Sequence, residues 1–331
     1  MTTRYRVGLI GVGSISQWHV RAIRAAGMEL GGVGARPGST RLHAFAGRHA
    51  IETVFDDWRD MMDKRHQWDA LVIATSPDGT PAVMIESLAL DIPLLVEKPV
   101  AWRRSSLDTL PPSADARTLV GYNRRFYGPV QRARLEAQNG PPLLAQVTLP
   151  DSVEDPGDDA TNNAYLRTFF DNSSHGLDMA RFVLGPLRLV TVERVAGPGG
   201  RLAGLAALLR SERGDVVQLT CNWATPANFC LALYRPGRRV DLLPFEIGTV
   251  YEGMDVLEPT DECPIRRYVP KQVERVMLDR IDQVEKPGFV AQAEALKGMI
   301  EGRPLPPCAA RLADAAAALE LCEALVGGQL A

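Results

Sequence analysis

Residues 7–16 read Val-Gly-Leu-Ile-Gly-Val-Gly-Ser-Ile-Ser: a short apolar run, two closely spaced glycines, then residues at helical spacing. Strand, glycine turn and helix in that order form the context of a dinucleotide fingerprint. It restricts the chain to folds in which a parallel strand delivers a turn to a helix N-terminus. Gly11 would permit the tight turn. Gly13, with no side chain, would let a pyrophosphate approach the backbone, and Ser14 and Ile15 complete the cradle. The helix that follows supplies free N–H groups and a partial positive charge. The third position of the G-x-G-x-x-G pattern holds Ser16. A structural turn in some other α/β protein is the competing interpretation.

The next hundred residues repeat the alternation. Strands are expected at Leu30–Gly34, Ala70–Ala74, Pro93–Val96 and Thr118–Gly121, with helical stretches between them. Strands alternating with helices imply βαβ units and a parallel sheet. Beyond about residue 125 the pattern changes. A helix is expected at 131–138, a strand at 143–149, a polar loop at 151–163, and a helix at 165–184 broken near Asn172-Ser173-Ser174. Strand-like runs separated by Gly and Pro turns follow from Leu187 to about Val250, which indicates an antiparallel sheet. Two helices follow from Phe289, split by Arg303-Pro304-Leu305-Pro306-Pro307. The expected architecture is an α/β N-terminal domain (a doubly wound parallel sheet, 1–121) and an α+β C-terminal domain (an open, mainly antiparallel sheet, 122–331). The last helix would pack back on the first domain.

Cofactor choice depends on the end of the second strand. An NAD enzyme places Asp or Glu there, about twenty residues past the glycines, to bond the ribose 2′-OH. Here the strand ends Val33-Gly34-Ala35-Arg36, with no acid. Ala35 would not repel a 2′-phosphate, and Arg36 would pair with it or stack on adenine. The expectation is NADP(H), with NAD(H) as the alternative; a solvent-facing Arg at a loop start is the plain one.

Two constellations carry chemistry. Glu97-Lys98-Pro99 closes the fourth expected strand, at the sheet edge where ligands of open α/β folds bind. A lysine there would stabilise an alkoxide forming during hydride transfer, although a lone surface lysine reads equally simply. His175 is the only histidine of the C-terminal half. Asp171 precedes it by four residues and Asp178 follows by three, which on a helix puts all three on one face. A carboxylate beside an imidazole fixes its tautomer and raises its basicity, as a general base for a carbinol proton requires. The competing interpretation is a helix N-cap at Asp171 or Ser173. No second His or Cys joins Asp171, His175 and Asp178 at a useful spacing, so no metal is expected.

Composition narrows the setting. The 331 residues are 46% hydrophobic and 23% charged with a net charge of −3, so no global basic field recruits nucleic acid or an anionic membrane. Five cysteines without a C-x-x-C pair suit a reduced, cytoplasmic compartment. No signal peptide and no membrane span are expected.

Taken together, VGLIGVGSISQWHVRAI (with His19), LLVEKPV, VGYNRRF, DNSSHGLDMARFVLG and PGFVAQAEAL stand in the order found in the glucose–fructose oxidoreductase, inositol dehydrogenase and rhizopine-catabolism family, which the chain resembles over nearly its whole length. The resemblance implies a Rossmann domain, a catalytic set of Lys98, Asp171 and His175 with His175 as proton acceptor, and Asp178 supporting the site or binding substrate. It places Asn123 and Arg124 in the substrate cleft and Thr75, Ser76 and Pro77 along the cofactor ribose and pyrophosphate. It also implies a small carbohydrate-like substrate and a homodimer or homotetramer formed through the C-terminal sheet. Ser16, and Thr80-Pro81 where the family often has a His, depart from the pattern. On the same scaffold, a non-catalytic cofactor-binding regulator or a reductase of a C=C or C=N bond are alternatives. Trp223, Tyr234, Pro244-Phe245-Glu246 and Tyr251 would either shape a carbohydrate site or form plain core.

Overall fold

Val7–Ile10 contains only apolar residues and one glycine, and Leu71–Ile73 and Leu94–Val96 are apolar throughout. Such runs suit strands covered on both faces. In the computed structural model, which describes residues 4–151, 166–197 and 202–327, they are the central strands of a six-stranded sheet. Strands β1 (Arg6–Ile10), β2 (Glu29–Gly34), β3 (Val54–Phe55), β4 (Ala70–Ile73), β5 (Leu94–Val96) and β6 (Thr118–Val120) lie in the order β3-β2-β1-β4-β5-β6. Every pairing is parallel. The order reverses between β1 and β4, and ligands of open α/β sheets bind beyond the strand ends at such a switch point. The two-residue β3 is too short to leave a periodic signal.

One face of this sheet shares a core with the Ser16–Ala25 and Phe289–Ile300 helices through Leu9, Val20, Ile23, Val33, Phe289 and Leu296. The other packs Ile10, Leu71 and Val96 against Met84 of the Thr80–Leu88 helix and Ala315 and Ala318 of the Leu312–Val326 helix.

The chain divides into two compact units. The first runs to Phe126 and takes in Arg280–Glu323; the second comprises Tyr127–Asp279 and the chain from Ala324. The partition differs from a boundary at 121/122 for physical reasons. The Asn123 side-chain amide donates to the Pro287 carbonyl at 2.8 Å, and a Cβ on Gly288 would lie 2.3 Å from the Asn123 carbonyl oxygen. Residues from Arg280 onward return because Phe289, Val290 and Leu296 complete the first core.

The second unit holds an eight-stranded sheet of β7 (Leu144–Asp151), β8 (Leu187–Ala196), β9 (Leu202–Ser211), β10 (Val216–Trp223), β11 (Cys230–Arg235), β12 (Arg238–Leu242), β13 (Ile247–Leu257) and β14 (Arg267–Met277). Its order is β14-β13-β12-β11-β7-β10-β9-β8, antiparallel except between β7 and β10. Ala145, Val147 and Leu149 alternate inward beside Val217 and Leu219. The Gly128–Gln138 and Ser174–Leu184 helices pack on each other, and the second also packs on β7. A Cβ on Gly176 would fall 2.2 Å from a Leu149 methyl, so the glycine lets the helix and β7 approach without displacing that side chain.

Two expectations change here, and one open alternative is decided. The strands continue past Val250: the outer half of β13 is exposed and lacks alternation, and β14 carries Pro270, which edge strands tolerate. Asp151 is not in a loop but ends β7; residues 152–163 of the expected loop, and Tyr165 at the expected helix start, lie outside the described residues. Trp223 and Phe245 are buried core rather than site walls, Trp223 stacking on Phe169 at 5.6 Å and Phe245 on Phe229 at 5.5 Å.

Candidate active site

In the first unit the glycine turn leaves the end of β1. Gly11 has φ +110°, and a Cβ there would lie 2.2 Å from the Ala74 carbonyl oxygen, so the turn needs glycine twice over. Around Gly13 the space is open: no heavy atom lies within 4 Å of where its Cβ would be. Ser14 is exposed, and the helix that follows Ile15 starts without a side-chain cap. An open backbone concavity before an uncapped helix N-terminus fits the pyrophosphate of a dinucleotide. Ser16 is fully buried in the first helical turn, and among the described residues its hydroxyl has no partner. Its side chain therefore fits where the third glycine would pack, at the cost of an unsatisfied hydroxyl.

Ala35 is buried at the end of β2, and Arg36 is exposed beyond it. Past β4, the Thr75 hydroxyl bonds the Thr80 hydroxyl at 2.7 Å, and Thr80 donates to the Ser76 carbonyl at 3.0 Å. Thr80 thus ties down the Thr75-Ser76-Pro77 segment, while Pro81 occupies the first helical turn, where a missing N–H costs nothing.

The most constrained group at this edge is Glu97. It is buried at the end of β5 and takes the Nε2 of buried His19, on the first helix, at 2.7 Å. Its other carboxylate oxygen accepts the Lys98 backbone N–H at 3.1 Å. Gly121, just past β6, leaves the room: a Cβ there would stand 3.0 Å from that oxygen. Burial pushes the Glu97 carboxyl up, but the His19 hydrogen bond and charge, with Lys98, outweigh it and hold it below the ordinary carboxylate range. Glu97 is thereby a fixed anion that shapes the turn carrying Lys98.

Asn123 and Arg124 lie just beyond β6 in the same unit. Asn123 is buried, its amide spent at least in part on Pro287. A residue that sequence reasoning passed over joins them. Lys286 is half-buried, its ammonium 5.8 Å from the Trp18 ring centroid and 5.6 Å from that of Phe289. Burial lowers its pKa first; Glu97 opposes that shift, while Lys98 and Arg124 add to it. No periodicity or motif marks Lys286, because its neighbourhood is made by chain segments far apart in sequence.

In the second unit, the helix expected to break near Asn172–Ser174 does not break. It widens into a π-helical turn at Phe169–Ser173 and continues as Ser174–Leu184. Such turns are frequent at functional sites. Neither Asp171 nor Ser173 caps a helix start. Instead, Asp151 at the end of β7 accepts hydrogen bonds from the Asn172 amide at 3.0 Å and from the Ser173 hydroxyl. Asp171 is exposed on the wide turn, whereas His175 and Asp178 are buried. Lys98 therefore belongs to one unit, and Asp171, His175 and Asp178 to the other. Among the described residues no three His, Cys, Asp or Glu side chains gather as a metal site.

Residues 5–120 match a family described as oxidoreductases with an NAD-binding Rossmann fold. An uncharacterized oxidoreductase, YrbE, of Bacillus subtilis is 32% identical over 200 residues, covering 56% of this chain and 55% of the relative, so the match spans about half that protein's length. An inositol 2-dehydrogenase of Rhizobium meliloti is 28% identical over 65% of this chain and 67% of its own. Among solved structures, a UDP-N-acetylglucosamine 3-dehydrogenase from Acidithiobacillus ferrooxidans superposes with a TM-score of 0.74 at 19% identity, covering 98% of this chain and 97% of that one; at this identity the likeness is one of fold.

Proposed function

We propose that the chain is an oxidoreductase of the Gfo/Idh/MocA type, a reading supported by the match over residues 5–120 and by its similarity to an inositol 2-dehydrogenase, and that it interconverts a secondary alcohol and a ketone on a sugar, polyol or sugar derivative, nucleotide sugars included, with a nicotinamide cofactor. The observation that carries this is the pairing, at one sheet edge, of a glycine turn open at Gly13 with Lys98 set beside the buried Glu97. The inositol 2-dehydrogenase among the relatives supports the polyol or sugar class. The cofactor, when bound, supplies a hydride acceptor or donor. Gly11, Gly13, Ser14 and Ile15 would hold its pyrophosphate, and Thr75, Ser76 and Pro77 its ribose and pyrophosphate. The Lys98 ammonium would hold the substrate oxygen and stabilise the alkoxide, and His175 would take the carbinol proton, oriented by Asp171. Asp178, Asn123 and Arg124 would contact substrate or support those that do.

Ala35 and Arg36 support NADP(H) over NAD(H), since the strand end offers a guanidinium and no carboxylate. One experiment tests reaction and cofactor together. Sugars, polyols and nucleotide sugars are screened at the reduced-nicotinamide absorbance band with each oxidised cofactor. Turnover of at least one secondary alcohol is expected, with kcat/KM about tenfold or more higher for NADP+. A clear preference for NAD+ would overturn the role of Arg36, and absence of turnover and of cofactor binding would overturn the reaction.

A homo-oligomer through the second sheet is part of the same proposal. Met254, Val256 and Tyr268 are exposed on one face of the β13–β14 pair, Val256 directly opposite Tyr268. Apolar side chains gathered in this way mark surfaces that associate. Light scattering is expected to give a mass of two or four chains; Val256→Lys should shift it towards one, and a monomeric wild type would dispose of the idea.

A further inference from the structure

Among the described residues of the first unit, Lys286 forms no direct ion pair, although the Glu97 charge reaches it. Its ammonium faces two aromatic rings, and among the described residues it forms no ion pair and donates no hydrogen bond. The carboxylates around it are already engaged. Glu285, its chain neighbour, accepts two hydrogen bonds from Arg21 at 2.6 and 2.8 Å. Glu97 holds His19 and the Lys98 backbone. The other charged groups acting on Lys286 are cations, Lys98 and Arg124, and its lowered pKa has its first cause in burial. Aromatic faces attract an ammonium but do not neutralise it. A half-buried cation beside two others is a costly arrangement unless an anion joins it.

Its backbone is held firmly. The Asn123 amide anchors the Pro287 carbonyl, and Asp282 accepts the Gly288 N–H at 2.7 Å. The turn that presents Lys286 is therefore fixed to the segment carrying Asn123 and Arg124, and the rings of Trp18 and Phe289 mark where its ammonium lies.

We propose that Lys286 is an anion-recognition residue of the candidate site, and that the substrate is an acidic sugar derivative whose carboxylate or phosphate pairs with the Lys286 ammonium. This rests on the sugar or polyol alcohol assigned above and narrows it. Lys98 is left to the reacting oxygen, while Lys286 reads a second, charged substituent. That division separates chemistry from recognition: loss of Lys286 should raise KM for acidic substrates more than it lowers kcat.

The test uses the full chain saturated with reduced cofactor. Calorimetric titration compares a hexose with its uronate, its aldonate and its 6-phosphate, in wild type, Lys286→Met and Lys286→Arg. The wild type is expected to bind an acidic member about 10- to 100-fold more tightly than the neutral sugar. Lys286→Met should bring the two near parity, and Lys286→Arg should retain most of the preference. Preference for uronate or aldonate assigns a carboxylate; preference for the 6-phosphate assigns a phosphate. Cofactor affinity, followed by reduced-nicotinamide fluorescence, should change less than about threefold. Equal binding of acid and neutral sugar by the wild type, or an effect of Lys286→Met on cofactor alone, would overturn the proposal, the latter moving Lys286 to the cofactor phosphates. Turnover of neutral alcohols with no acidic preference would sink this inference and leave the redox assignment standing. A Lys286-dependent preference without any turnover would do the reverse.

Discussion

Replacing Lys98 by Met is expected to lower kcat by about 10²- to 10⁴-fold while the affinity for reduced cofactor stays within a few-fold of wild type. Methionine preserves the length and apolar stem of lysine and deletes only the charge. The Lys98 backbone N–H is held by Glu97, a bond the substitution leaves in place, so the turn should survive the change. What would be lost is the cation proposed to meet the negative charge developing on the substrate oxygen. His175→Ala, measured alongside, should give a loss of the same order. The double variant should lose little more than the worse single variant, because groups acting in one step are not additive. Steady-state kinetics with saturating cofactor decides it. Undiminished turnover in either single variant removes that residue from the mechanism, and losses that multiply would show the two acting in separate steps.

Glu97→Ala is expected to cost about 1.5–3 kcal/mol of stability, the range for a buried hydrogen bond made by a charged group. His19 is almost fully buried, and the substitution leaves its Nε2 facing the space the carboxylate occupied. Glu97→Gln keeps the shape and a hydrogen-bonding oxygen and should cost less. The pH dependence has a definite sign. The folded carboxyl lies below its ordinary range, so its contribution is complete above the unfolded-state pKa and disappears as the pH falls through the folded one. Acidification should therefore narrow the gap between wild type and Glu97→Gln. Urea midpoints at neutral and acidic pH measure this. A Glu97→Ala loss below about 1 kcal/mol, or a gap that widens in acid, would show the pair to be stabilising in name only.

Much of the first unit is legible in the chain because β1, β4 and β5 are buried on both faces and leave unbroken apolar runs. The Gly11–Gly13 turn is legible because the backbone at Gly11 excludes a side chain and Gly13 leaves the space before the helix open. Lys98 is legible because it follows a strand directly. Other features depend on long-range closure. His19 and Glu97 are 78 residues apart and meet only when the first helix docks beside β5. Asp151 steadies the wide turn before His175 from the end of a strand, and its acidic surroundings resemble an ordinary loop. The widened turn itself has no local signature: Asn172-Ser173-Ser174 weakens an α-helix in much the same way as it ends one. Lys286 lies in a short turn, and the apolar neighbours that give it meaning come from the first helix and from the helix just after it.

The Phe289–Ile300 helix has a consequence for how the molecule is made. The core behind the glycine turn is completed by Phe289, Val290, Ala293 and Leu296, with Ala309 beyond them. During synthesis, these residues emerge after both the nucleotide-binding strands and the entire eight-stranded sheet. The first helix, whose Val20 and Ile23 share this core with Leu9 and Val33, therefore lacks the cover of the Phe289–Ile300 helix until after the second sheet is made. The nucleotide-binding half precedes the eight-stranded sheet along the chain and is completed only after it, so a chain cut after Phe126 would carry every residue of the glycine turn and yet lack one side of its own core.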